Sequence, residues 1–184
     1  MLSYARGPTL PLLDDTLFGA LARTVERHPD RDALIVPFQN VRLSFRELAA
    51  QVERVAGALL ALGLVPGDRF GLWATNCAQW LYLQLAAARA GLVLVNVNPA
   101  YRSSELAYVL RKSRMRALFL HERDRRCDYR VIFEEARASQ AGLALRHVIY
   151  LGTSSWNEFL AASRPFPATT IECPSFSTTR RTSF

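Results

Sequence analysis

Lysine is nearly absent from this chain of 184 residues, because Lys112 is the only lysine among its 23 basic residues. The basic residues outnumber the 16 acidic ones, so the formal net charge is +7. A nucleic-acid-binding protein would concentrate such charge in a stripe along a recognition element. Here the basic residues cluster only within 111–130. The charge therefore does not predict a nucleic acid as partner.

Cysteine is also rare, and the three cysteines, Cys77, Cys127 and Cys173, lie far apart. Their odd number and the lack of a C-x-x-C or cysteine–histidine spacing argue against a metal site. Free thiols are typical of a reducing compartment. The sequence thus predicts no metal centre and a cytoplasmic location.

Long apolar runs and glycine-rich loops are missing as well. No uninterrupted apolar run approaches the roughly 18 residues of a membrane-spanning helix, so no such helix is predicted. No phosphate loop of the type GxGxxG or GxxxxGK[ST] is found, which argues against a Rossmann-type nucleotide-binding domain. The residues also form no convincing serine–histidine–aspartate or cysteine–histidine arrangement, so no catalytic residue is assigned.

The centre of the predicted fold is the stretch 70–101. It holds two short apolar runs, 70–74 and 92–97, separated by an alanine-rich segment that is long enough for a helix of about four turns. A strand, a helix and a second strand make one right-handed βαβ unit. The middle segment is apolar on nearly all sides, which predicts that other elements cover it.

The rest of the chain continues this alternation. Strands are predicted over 33–37, 41–43, 70–74, 92–97, 117–121 and 147–151, and helices over 16–27, 44–63, 76–91, 103–113, 128–139 and 156–162. The first two strands are expected to form a hairpin. The others predict an α/β fold with a mainly parallel sheet and helices on both faces. Residues 1–15 are predicted to be an extended lead-in, 16–162 one α/β subdomain, and 163–184 unstructured.

Three helix starts carry recognisable signals. Ser44 and Glu47 have the spacing of a capping box, and Gly63 is suited to end the same helix in a left-handed conformation. Asn76 with Gln79 repeats the capping-box spacing at the next helix. Either Ser103 or Ser104 is expected to cap the helix that follows.

Two features near predicted strand ends are candidates for binding. His121 ends a strand and His147 begins one, and ligands of open α/β sheets bind beyond the carboxyl ends, which favours His121. A purely structural role remains the alternative for both histidines. After His121 come four arginines that are suited to phosphate, namely Arg123, Arg125, Arg126 and Arg130. The alternative is a solvated loop, because Glu122, Asp124 and Asp128 compete for the same donors.

The order of motifs resembles the N-terminal region of the AMP-forming acyl-CoA synthetases, in the adenylate-forming or AMP-binding superfamily. Residues 43–48 (LSFREL) match the family pattern LTYxEL, and 87–101 match its A-x-x-AG-x-x-x-V-x-x-NP-x-Y segment. The NPAY sequence at 98–101 suggests the branch that acts on medium- or long-chain fatty acids. The resemblance covers roughly residues 12–160.

The resemblance implies a ligase that uses ATP, Mg²⁺ and CoA. In the family, a fatty acid carboxylate attacks the α-phosphate of ATP, and the CoA thiol then displaces AMP from the acyl-adenylate. By position in the loop after the 117–121 strand, Arg125, Arg126 and Arg130 are implied to contact CoA phosphates. No catalytic or metal-binding residue can be carried over.

This sequence departs from the family after residue 160. The phosphate loop SGTTGxPKG, expected soon afterwards, is not found. The chain is therefore expected to be an N-terminal fragment that is inactive alone, with 163–184 produced by a frameshift. Exposed apolar surface would favour aggregation or association. The alternative is a binding or assembly module that keeps the fold without the chemistry, and a Rossmann-type domain is less favoured.

Overall fold

Helices and strands alternate along the chain in the computed structural model, which describes residues 15–125 and 127–166. The helices in this part are α1 (Leu17–Arg27), α2 (Phe45–Ala61), α3 (Ala78–Ala90), α4 (Ser103–Ser113), α5 (Tyr129–Ala138) and α6 (Ser154–Ala161). The strands are β1 (Asp32–Val36), β2 (Val41–Ser44), β3 (Arg69–Trp73), β4 (Val93–Asn96), β5 (Ala117–Leu120) and β6 (His147–Tyr150). A short 3₁₀ turn, Pro37–Gln39, joins β1 to β2.

The main sheet has four parallel strands in the order β4-β3-β5-β6. The two central strands are in register with Phe70 opposite Ala117 and Trp73 opposite Leu120. Strands β1 and β2 form a separate antiparallel hairpin. The predicted hairpin and the predicted α/β fold with a parallel sheet are both confirmed.

Side chains of β3 alternate between two apolar cores. Phe70 and Leu72 are buried in the core that α1, α2, α3 and α6 share, whereas Trp73 is buried in the core formed with α4 and α5. Strand β5 does the same, with Phe119 in the first core and Leu120 in the second. The Phe119 ring contacts Phe70 edge-on, with ring centroids 5.5 Å apart. Helices therefore cover both faces of the sheet, as predicted.

The two central strands continue into helices on opposite faces. Strand β3 leads to α3, which packs in the core around Phe70, and β5 leads to α5, which packs in the core around Trp73. Adjacent parallel strands that diverge in this way leave a crevice beyond their carboxyl ends, the topological switch point where open α/β sheets bind ligands. This crevice positions the candidate site.

The predicted N-terminal cap of α2 is confirmed, whereas the predicted caps of α3 and α4 are wrong. The amide of Glu47 donates to Ser44 Oγ at 3.3 Å, while Glu47 Oε2 accepts from the Ser44 amide at 2.8 Å. Gly63 follows the helix with φ of 78°. A left-handed residue at this position is the expected helix end.

Helix α3 begins after Cys77, and Asn76 and Gln79 do not form a capping box. Instead, Gln39 Oε1 accepts from the Ala78 amide at 2.6 Å, and Gln39 Nε2 donates to Gln79 Oε1 at 2.9 Å. The cap is supplied by the 3₁₀ turn of the hairpin, which lies against the first turn of α3. A distant side chain thus satisfies an orphan amide that a local side chain usually satisfies.

Helix α4 has Arg102 as its N-cap residue, so neither Ser103 nor Ser104 caps it. Glu105 Oε2 accepts from the Arg102 amide at 3.0 Å. The hydroxyl of Ser103 donates to Glu135 of α5. Both serines lie inside the first turn of α4, because the hydrogen bond from the Arg102 amide to Glu105 makes Arg102 the residue before the helix.

Residues 163–166 lie against α2 after the end of α6. Ser163 Oγ donates to the Arg54 carbonyl at 2.7 Å, and a Cβ atom on Gly57 would lie 2.1 Å from the Arg164 carbonyl oxygen. The Phe166 ring lies 4.1 Å from the Arg89 guanidinium. The predicted lead-in, apart from Asp15, and the predicted frameshifted tail beyond Phe166 lie outside the described residues.

Candidate functional site at the carboxyl ends of the central strands

Thr75 and His121 meet across the crevice between β3 and β5. Thr75 follows β3 and His121 follows β5, and Thr75 Oγ1 lies 3.3 Å from His121 Nδ1. The His121 amide donates to the Trp73 carbonyl at 3.3 Å, which extends the strand pairing by one residue. Thr75 is exposed and His121 is half-buried. The sheet therefore fixes the backbone of the pair and leaves the pair accessible.

Two fully buried aromatic rings, Trp73 and Tyr129, pack beneath this crevice. The ring centroids of Trp73 and Tyr129 lie 4.7 Å apart, and those of His121 and Tyr129 lie 6.0 Å apart, both pairs edge-to-face. Trp73 Nε1 donates to the Asn98 carbonyl at 3.0 Å. Asn98 belongs to the NPAY segment, so this loop is braced against the end of the central strand.

Burial controls the protonation of the two titratable rings. It lowers the pKa of His121, an effect that the carboxylate of Asp124 partly offsets. Since an unperturbed histidine titrates near pH 6.5, the imidazole is neutral at pH 7. Burial also raises the pKa of Tyr129, and so does its hydrogen bond of 3.0 Å to Asp124 Oδ2. Tyr129 therefore stays a neutral donor.

A charged cleft of about 420 Å³ adjoins the crevice and is lined by Glu122, Arg123, Asp128 and Arg130. Arg123 Nε donates to Asp128 Oδ2 at 3.0 Å. Asp128 is also the N-cap of α5. The hydrogen bond that its carboxylate accepts from the Val131 amide lowers the pKa of Asp128 most, and the hydrogen bond from Arg123 lowers it further. The cleft thus holds two arginines whose donors are already partly engaged.

Among the arginines predicted to bind CoA, Arg130 makes two side-chain contacts within the described residues. It pairs with Glu122, and its guanidinium carbon lies 4.4 Å from the centre of the Tyr150 ring. Arg125 is exposed in the loop before α5 and does not line the cleft. Arg126 lies outside the described residues. The structure thus places Arg130 and Arg123 in the same cleft. The carboxylates that were expected to compete for their donors do pair with them, Asp128 with Arg123 and Glu122 with Arg130.

His147 lies away from the crevice, because it begins β6 and its amide donates to the Arg116 carbonyl at 3.2 Å. Thr75 was not singled out in the sequence. It could have been found from the predicted parallel strands, because Thr75 directly follows the strand at 70–74 and His121 ends the strand at 117–121, and the carboxyl ends of parallel strands meet at one edge of the sheet. Its partner lies 46 residues away along the chain, so no local motif marks the pair.

Neither a metal cluster nor a membrane span is found in the described part of the chain. No group of three or more His, Cys, Asp or Glu side chains there is suited to a metal ion. No helix in residues 15–125 and 127–166 is long and apolar enough to cross a membrane.

The sequence model of the AMP-binding enzyme family matches residues 21–173. The chain belongs to this family. The match covers the whole sheet, the Thr75–His121 crevice and the charged cleft. It confirms the family resemblance that the motifs at 43–48 and 87–101 indicated.

Similar ligases and solved structures agree with this assignment. The chain is 50% identical over 112 residues to the mouse medium-chain acyl-CoA ligase ACSF2, covering 60% of the chain and 18% of the ligase. It is 46% identical over 118 residues to the human ACSF2, which covers 64% of this chain and 19% of the human ligase. The N-terminal domain of FACL13 from Mycobacterium tuberculosis superimposes with a TM-score of 0.75 at 25% identity, covering 86% of this chain and 39% of that domain.

A fatty acyl-CoA synthetase from the same organism gives a TM-score of 0.74 at 25% identity, covering 86% of this chain and 30% of the synthetase. The chain thus spans about a fifth of the length of the ACSF2 ligases. Both ACSF2 proteins are described as mitochondrial. This finding contradicts the cytoplasmic location that the free cysteines suggested, and the inference from cysteine content was wrong because mitochondrial enzymes can also carry free thiols.

Proposed function

We propose that this chain is the N-terminal part of an ATP-dependent fatty acid–CoA ligase of the medium- or long-chain branch. The observation that carries the proposal is the family match over residues 21–173. It is supported by 50% sequence identity over 112 residues to a mouse ligase named as medium-chain. Such a ligase joins a carboxylate to AMP and then to the CoA thiol, with Mg²⁺ offsetting phosphate charge. The described residues offer no site that fits Mg²⁺, so the metal is not assigned to them.

By themselves these 184 residues are proposed to be inactive. The family's phosphate loop has no counterpart in the sequence. Without donors around the triphosphate, the charge that develops during adenylation would not be stabilised. The chain incubated with ATP, Mg²⁺, octanoate and CoA is expected to release no AMP.

The contribution proposed for this part of the ligase is contact with CoA phosphate through Arg125, Arg126 and Arg130. The support is positional, since the loop follows the carboxyl end of a central strand, where ligands of such sheets bind. Arginine forks match phosphate oxygens. Arg130 would have to exchange its carboxylate partner Glu122 for the phosphate, which predicts weak binding by the isolated chain.

Calorimetric titration of the chain with CoA tests the proposal. Arg130→Ala and Arg125→Ala are each expected to raise Kd by about tenfold, because a hydrogen bond to a charged group contributes roughly 1.5–3 kcal/mol. Arg137→Ala is the matched control, since Arg137 is an exposed arginine at the far end of the same helix. Equal affinities in all variants would remove the proposed CoA contact.

A binding or assembly module without catalysis is the second candidate. It is favoured by one observation: the described part has two well-buried apolar cores of its own. A monodisperse, stably folded chain that binds no CoA would support this candidate. Association through exposed apolar surface belongs to the first proposal, because a part of a larger ligase should expose surface that the remainder covers.

A further inference from the structure

The Thr75–His121 pair is the one polar side-chain contact between the two loops that leave β3 and β5, as far as the described residues show. These strands lead to helices on opposite faces, so the pair lies inside the switch-point crevice. The rings of Trp73 and Tyr129 are fully buried beneath the pair, and the Tyr129 ring contacts the His121 ring edge-to-face. The crevice therefore presents a polar pair that rigid packing beneath it holds in place, at the edge of the sheet where ligands of open α/β sheets bind.

One nitrogen of His121 is held and the other is free within the described part of the chain. Nδ1 faces the Thr75 hydroxyl at 3.3 Å, and no group there forms a hydrogen bond with Nε2. Nε2 is not a fully buried atom without a partner, so part of its surface is open to solvent. A neutral imidazole with Nδ1 accepting from Thr75 carries its proton on Nε2.

We propose that His121 donates a hydrogen bond from Nε2 to an anionic oxygen, phosphate or carboxylate, of a small molecule bound in this crevice, with Thr75 as the positioning residue. The cleft that begins at the next residue adds no net charge, because its arginines Arg123 and Arg130 are paired with Asp128 and Glu122. The anion is therefore expected to be held mainly by the Nε2 donor of His121. The proposal rests on the proposed function for the identity of the ligand, which is either the phosphate-bearing CoA or the fatty carboxylate.

Imidazole NMR of the ¹⁵N-labelled chain tests the contact directly. The three histidines are assigned with His121→Gln, and the chain is titrated separately with CoA and with octanoate. The Nε2 signals of His121 are expected to shift saturably with at least one probe, while those of His28 and His147 stay in place. Thr75→Val is expected to weaken that binding about threefold and Thr75→Ser to preserve it, since only the serine keeps the hydroxyl.

The outcomes separate this proposal from the CoA contact of the arginines. A shift with octanoate alone supports the His121 site and assigns it to the carboxylate, whereas a shift with CoA assigns it to phosphate. His121 signals that move with neither probe overturn the proposal, even when Arg130→Ala weakens CoA binding. His121 signals that move when the arginine variants have no effect keep this proposal and remove the arginine contact.

Discussion

At the scale of single residues, Asp68 connects three parts of the fold. Its Oδ2 atom accepts from the Val65 amide at 3.0 Å in the turn before β3, and it pairs with Arg116 Nη1 at 2.5 Å just before β5. The Arg116 carbonyl in turn accepts from the amides of Arg146 and His147 at the start of β6. The hydrogen bond from Val65, and then Arg116, lower the pKa of Asp68.

This lowered pKa predicts a loss of stability in acid. A carboxylate whose pKa is lower in the folded state contributes stability above the unfolded pKa of about 3.9. That contribution disappears as the pH falls through the folded pKa. Asp68→Asn should therefore lower the free energy of unfolding at pH 7, and the difference from the unchanged chain should shrink below about pH 4. Urea denaturation from pH 7 to pH 3 measures it.

Asp30→Asn is the control for this pH profile. The Asp30 side chain is 83% exposed and pairs with Arg46 at the surface. Exposed ion pairs contribute little to stability. A difference between Asp68→Asn and the unchanged chain that stays constant from pH 7 to pH 3 would contradict the role given to the Asp68 charge.

At the scale of elements, the start of α3 depends on a residue from the hairpin. Gln39 is 39 residues from Ala78 in sequence, yet its amide oxygen accepts from the first amide of the helix. The hairpin is otherwise joined to the rest mainly through α2 packing. The Gln39 contact therefore fixes where the hairpin lies relative to the helix that leaves the central strand.

Gln39→Ala should lower the free energy of unfolding by about 1 kcal/mol, the usual effect of removing an N-terminal cap. Asn76→Ala is the matched comparison, because Asn76 has the sequence signal of a cap and the helix begins after Cys77 instead. It should change the stability much less. Chemical denaturation of the two variants decides between them, and a larger loss for Asn76→Ala would show that the local cap operates in solution.

Local sequence patterns predict elements well and contacts between elements poorly in this chain. The capping box of Ser44 and Glu47 spans four residues, so periodicity and spacing were enough to find it. The strands β3 and β5 were found because both faces are buried, which makes them continuous apolar runs. The Gln39 cap and the Thr75–His121 pair join residues about forty positions apart, and their partners depend on how the helices cross the sheet.

At the scale of the whole molecule, β4 is an uncovered sheet edge. It pairs with β3 on one side, and within the described residues no strand pairs with its other side. Val93 is 46% exposed, whereas every residue of β5 is buried. Edge strands of soluble proteins usually carry a charge or a proline that prevents further pairing, and the sequence of β4, VLVN, has neither.

An unprotected apolar edge predicts that the chain associates through β4. Val93→Lys should reduce association measured by sedimentation velocity, because a lysine on an edge strand disfavours pairing with another strand. Val131→Lys is the control, since Val131 is 52% exposed on α5, away from any strand edge. A chain that is monomeric at all concentrations, or equally affected by both substitutions, would contradict the prediction. Association lost only with Val93→Lys would assign the contact between chains to the open edge of β4.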